Sequence, residues 1–178
     1  MHKGLETPDH DVLETDGAIE LRRCARHLAV EVVVDGSRRG AAARGFRRLA
    51  RYIFGGNATG EKIAMTAPVT QAPADGHEGR WHVRFVVPAA YSRYILPAPH
   101  DAAVQVVEVS PQTQAVIRFS GRWSDRRLAA KADALRRWGM ARGLKLSEPP
   151  RFQFYDDPFT LPFRRRNEVA FALRDSEA

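Results

Sequence analysis

A chain of 178 residues, 44% hydrophobic and 28% charged, is long enough to bury its own core, which excludes a disordered segment and a small stapled scaffold. Its 28 Lys+Arg against 21 Asp+Glu give a formal charge of +7, compatible with nucleic acid, a membrane surface or anionic small molecules and decisive for none. Cys24 is the only cysteine, so an internal disulfide is excluded. No apolar run suits a signal peptide or a transmembrane helix, and a cytoplasmic protein is expected.

Residues 1–17 are polar and acidic and are expected to form a flexible leader. Ile19 to Arg23 alternates apolar and polar, and Leu28 to Val34 is β-branched; both predict strands. Asp35-Gly36-Ser37 then supplies a turn and a helix N-cap. The helix that follows is predicted from Arg38 to about Phe54, with Ala42, Phe46, Leu49 and Ile53 as its apolar stripe. Gly55-Gly56 ends it.

Lys62 to Met65 and Trp81 to Val87 are the next predicted strands, separated by a loop over Gln71 to Arg80. In the second strand Trp81, Val83, Phe85 and Val87 share a face. Pro88 to Asp101 is proline-rich and irregular. Val104 to Val109 and Gln114 to Ser120 predict strands. Ser124 caps a helix predicted from Asp125 to Arg142, burying Leu128, Leu135 and Trp138. Arg151 to Tyr155 and Glu168 to Leu173 complete the strands.

The order strand, strand, helix, strand, strand thus occurs twice, over about 18–90 and 102–175. This predicts an α+β domain over 18–175. Its duplicated antiparallel unit would form a distorted eight-stranded β-barrel flanked by two α-helices.

Phe46-x-x-Leu49-x-x-Tyr52-Ile53-x-Gly55-x-Asn57, followed by Lys62-Ile63-x-Met65-Thr66-x-Pro68-Val69, resembles the SOUL haem-binding protein family. Phe85-x-x-Pro88, Leu96-Pro97-x-Pro99, Phe119-Ser120-Gly121, Tyr155-x-x-Pro158 and Arg165-Arg166-Asn167-Glu168-Val169 extend the resemblance over Ile19 to Leu173. It implies the same duplicated fold and a non-enzymatic, cytoplasmic carrier of haem or another porphyrin. The implied site is an apolar groove beside the first helix, formed by Ala43, Phe46, Arg47, Ala50 and Arg51, with Phe163 in the opposite wall.

Those residue types suit a flat apolar disc bearing two carboxylates: rings give contact and guanidinium groups pair with propionates. The competing reading puts Phe46 in the core and the arginines on a solvated helix face. No histidine falls in the helix motif; the six stand at positions 2, 10, 27, 77, 82 and 100. His27 and Cys24 are the candidate iron ligands, and weak ligation with binding through the faces and propionates is expected. The expected partner is therefore a tetrapyrrole or another planar apolar anion.

No metal-binding, nucleotide-binding or hydrolase motif occurs, and no nucleic-acid recognition motif accompanies the charge. The alternative reading is a small-molecule-binding or hydrolytic module of the regulator-type (GyrI-like) barrel. There, by analogy, Glu168 would meet a cationic ligand beside Trp81, Tyr91 or Trp123. An ion pair between Glu168 and an arginine or Lys62 would argue against it.

Overall fold

The computed structural model describes residues 4–74, 79–157 and 159–174. They form two compact units, residues 4–8 with 26–110 and residues 9–25 with 111–174. Nine strands and two α-helices are assigned among them, all strand pairs within each unit being antiparallel.

The first unit holds β3 (His27–Asp35), α1 (Arg38–Ile53), β4 (Val69–Pro73), β5 (Arg80–Val86) and β6 (Gln105–Val109), with strand order β4-β5-β3-β6. Ser37 caps α1 as expected, its hydroxyl accepting from the Gly40 N–H at 3.2 Å. The helix lays Leu49, Tyr52 and Ile53 on Val30, Val32 and Val83 of the sheet. Burial of each large side chain contributes about 1.5–3 kcal/mol before chain entropy is charged against it.

The buried stripe of α1 differs from the expected one. It runs through Ala41, Gly45, Leu49 and Tyr52, and Phe46 is 40% exposed. Gly45 is the reason. A Cβ there would lie 2.6 Å from the Val83 side chain, so the helix rests on the sheet through a residue that hydropathy does not score. That contact turns Phe46 to the flank, where its ring meets Phe85 edge-on at 5.2 Å.

Two strand expectations near the middle of this unit also fail. Lys62 to Met65 forms only an isolated bridge between Lys62 and Phe54, although Ile63 is buried. The strand is instead Val69–Pro73, which runs three residues into the loop expected from Gln71. Its inward residue is polar: Gln71 is 1% exposed, accepts from the Arg38 guanidinium at 3.1 Å and donates to the Arg38 carbonyl at 2.7 Å. A buried glutamine satisfied by another element leaves no apolar alternation to read.

The second unit holds β1 (His10–Asp16), β2 (Ile19–Cys24), β7 (Gln112–Phe119), α2 (Asp125–Ala141), β8 (Leu146–Phe154), a 3-10 turn (Pro162–Arg164) and β9 (Asn167–Leu173). Its strand order is β1-β2-β7-β9-β8. Ser124 caps α2, accepting from the Arg127 N–H at 3.2 Å, and Leu128, Leu135 and Trp138 are buried as expected.

β1 is the unexpected ninth strand, inside the segment expected to be a flexible leader. Every one of its residues is exposed, so it is held by its ladder to β2 rather than by burial. Asp16 and Glu14 add bonds to α2 and its C-cap, from Trp138 Nε1 at 2.9 Å and from Arg142 at 2.7 and 3.3 Å. β2 pairs with β7, so the compact units do not follow the expected repeat boundaries. Among the described residues the end strands of neither unit pair with each other, and the expected closed barrel is not confirmed.

Candidate functional site

Away from its buried stripe, α1 exposes Ala43, Arg47 and Arg51, with Phe46 on the flank and Ala50 half-buried beside them. These are all the helix residues the sequence placed in the site. They share one face because positions three, four, seven and eight apart superimpose on a helix. Phe54 extends the row and was missed. It is 60% exposed, and its N–H still donates to the Ala50 carbonyl at 3.0 Å, so it keeps the helical register. The signal was its spacing: Phe46, Ala50 and Phe54 are four residues apart.

The arginines near this face are not equivalent. Arg44 donates to the Asp35 carbonyl, and Arg48 lies 3.6 Å from the Asp101 carboxylate. Arg47 donates only to the Ala43 carbonyl of its own helix, at 3.2 Å. Among the described residues neither Arg47 nor Arg51 meets a carboxylate. The face therefore offers two aromatic rings and two guanidinium groups without a carboxylate partner among the described residues, a set that fits the contact and propionate-pairing needs of a haem.

The loop after α1 is fixed by buried polar groups. Asn57 is 1% exposed; its amide donates to the carbonyls of Tyr52 (3.0 Å) and Glu61 (2.8 Å), and its oxygen accepts from the Glu61 N–H at 3.1 Å. The Tyr52 hydroxyl donates to the Pro97 carbonyl at 2.7 Å. Burial, then the neighbouring Tyr91 and Glu61, pushes its pKa up to about 12. His100, set aside by sequence as a loop residue, is exposed, and its backbone N–H donates to the Gly56 carbonyl at 3.3 Å, just past the end of α1.

The other candidate ligands stand elsewhere. His27 is half-buried at the start of β3, opposite Val109. His82 sits on β5 with Nδ1 3.0 Å from a Glu31 carboxylate oxygen, which also receives Arg84 on its other oxygen. His2 and His77 lie outside the described residues. Cys24 is buried on β2, its sulfur accepting from the Gln114 amide at 2.9 Å. Burial raises the thiol above its ordinary range despite the nearby Arg22. A protonated, amide-bonded thiol is a poor iron donor, since the thiolate is the ligand. Among the described residues no group of three or more His, Cys, Asp or Glu is placed to hold a metal ion.

Phe163 belongs to the second unit, on the 3-10 turn, 69% exposed with the Arg164 guanidinium 5.6 Å from its ring centre. In the same unit Glu168 is completely buried. Arg22 grips it bidentately at 2.9 and 3.0 Å, Arg166 donates to it at 2.9 Å, and the Tyr155 hydroxyl donates at 2.9 Å. Burial works to raise the carboxyl, but Arg22 and then Arg166 outweigh it and hold its pKa below the ordinary glutamate range. The carboxylate is thus occupied by the chain's own arginines, the outcome that argues against Glu168 as a receptor for a cationic ligand.

Antiparallel strands, with one helix packed on those of each unit, define an α+β architecture. The profile of the SOUL heme-binding protein matches residues 5–172, nearly the whole chain. The chain belongs to the SOUL haem-binding family. No curated protein matches it. Among solved structures, the EcmrR C-terminal domain is similar at TM-score 0.68 and 11% identity, covering 89% of this chain and 98% of that one. A hydrolase from Listeria innocua reaches TM-score 0.63 at 9% identity, over 91% and 94%. A protein bound to tetraphenylphosphonium reaches 0.51 at 12%, over 88% and 94%. At these identities the likeness is one of fold. No helix among the described residues is long and apolar enough to cross a membrane.

Proposed function

We propose that the chain is a reversible, non-enzymatic carrier of haem or another tetrapyrrole, bound along the exposed face of α1. Phe46 and Phe54 contact the disc across Ala43 and Ala50, and Arg47 and Arg51 pair with its propionates. The observation that carries this reading is the pair of arginines with no carboxylate partner beside two exposed rings. Solvated cations next to apolar surface match a ligand that is itself apolar with an anionic edge. Among the described histidines, His100 has its backbone tied to Gly56, three residues past this helix, and its imidazole is the candidate iron ligand there.

Titrating the purified chain with haem tests the reading. A saturable shift of the Soret band at micromolar haem is expected, and its absence would remove the carrier function. His100→Ala should alter the band position while leaving most of the affinity. An unchanged spectrum means that binding uses no His100 ligation.

The regulator-type alternative shares the fold of the EcmrR C-terminal domain. The paired state of Glu168 disfavours it.

A further inference from the structure

Phe159, Leu161 and Phe163 are 94%, 52% and 69% exposed within one short loop of the second unit. The loop's backbone is well bonded. Asp157 accepts from the N–H groups of Phe159 (2.7 Å) and Thr160 (2.9 Å), Arg165 Nε donates to the Thr160 carbonyl at 2.8 Å, and the Pro162 carbonyl accepts from the Gly121 N–H at 2.8 Å. A pinned backbone that leaves three large apolar side chains in water marks an interaction surface.

The charge around them is lopsided. The Gly121 bond joins the loop to the segment leading into α2; Arg122 in that segment and Arg126 and Arg127 in the first turn of α2 are exposed, and Arg164 and Arg165 lie in the loop itself. The acids nearby are Asp125, Asp156 and Asp157. Asp157 is used in capping, Asp156 accepts from the Arg166 N–H at 2.6 Å, and Asp125 sits in the first turn of α2. The N-terminal end of α2 adds the positive end of a helix dipole. Apolar tips projecting from a loop and collared by arginine suit a headgroup boundary, where aromatic rings enter the interface and guanidinium groups meet phosphate.

We propose that the 159–165 loop docks the protein on anionic lipid bilayers, with Phe159, Leu161 and Phe163 entering the interface and Arg122, Arg126 and Arg164 pairing with lipid phosphates. The test of docking needs no tetrapyrrole.

The test is co-sedimentation of the full chain with phosphatidylcholine vesicles, with and without phosphatidylglycerol. The intact chain should sediment with the anionic vesicles, less so as salt rises, and about tenfold more weakly with the neutral ones. The triple substitution Phe159→Ser, Leu161→Ser, Phe163→Ser should cut partitioning at least tenfold with an unchanged thermal melt, because all three side chains are exposed. Met140→Ser, which removes a 79% exposed apolar residue from α2, should leave partitioning unchanged. No binding by the intact chain overturns the proposal. So does equal binding by the triple variant, which would mean attraction by charge alone. Displacement by inorganic phosphate at matched ionic strength would mean a free-phosphate site and also overturns it.

Discussion

Arg22 and Arg51 are the same side chain in opposite surroundings. Arg22 is 3% exposed and lies between two carboxylates, gripping Glu168 with both terminal nitrogens and meeting Glu20 through Nε at 2.6 Å. Arg51 stands in solvent on α1 with no ion pair among the described residues. The buried arginine is fully committed inside the chain and contributes to holding the second unit together. The exposed one is committed to nothing and remains free for a ligand. A basic composition therefore describes two different devices, and only the surroundings of each guanidinium separate them.

The largest expected effect falls on the buried side of that contrast. Arg22→Ala should destabilise the chain by about 3–5 kcal/mol, because it strands Glu168 with its remaining partners in a dry site. Low, non-denaturing guanidinium should recover part of the loss in that variant and none in Glu168→Gln, as read from thermal melts. If guanidinium recovers nothing, the space left by Arg22 has collapsed and the ion pair is not the source of the loss.

Acid sharpens the same point. Glu168 has its folded pKa held below the ordinary value of 4.5, so its stabilising contribution is present above that value and is lost as pH falls through the folded pKa. Glu168→Gln should accordingly be less stable at neutral pH and lose less stability on acidification below about 4.5 than the parent chain. Parallel acid curves for the two would sink the assignment. Asn57→Ala, which removes a buried amide from the loop after α1, should cost about 1–3 kcal/mol. A smaller loss would mean that water replaces the amide.

The smallest effect on stability belongs to the exposed side. Arg47→Glu with Arg51→Glu should leave the melt essentially unmoved and weaken haem binding about tenfold or more. A variant that unfolds early shows these arginines to be structural; one that binds haem equally well removes them from the site.

Both helices, with their serine caps, and most strands were legible because they obey local rules. The misses have physical causes. β1 buries nothing, so no alternation announces it. β4 points a glutamine inward because Arg38 satisfies it from another element. Gly45 carries the closest approach of α1 to its sheet and has no side chain for hydropathy to register. The motif that placed the chain in its family is largely a set of internal fasteners. Asn57 locks a loop, Tyr52 ties it to Pro97, and Glu168 is enclosed by Arg22, Arg166 and Tyr155. Such residues specify the fold, while the solvent-facing row on α1 follows only from helical spacing once the buried face is known.

The pairing of β2 with β7 has a consequence for synthesis. The ribosome delivers Ile19–Cys24 early and its partner strand Gln112–Phe119 roughly ninety residues later, a delay on the order of ten seconds at ordinary elongation rates. During that interval the first unit's strands emerge complete and able to pair among themselves, while the β2 edge that β7 will take is open. Glu20, Arg22 and Arg23 put charge on the waiting β2, and charge on an unpaired strand discourages pairing with a neighbouring copy.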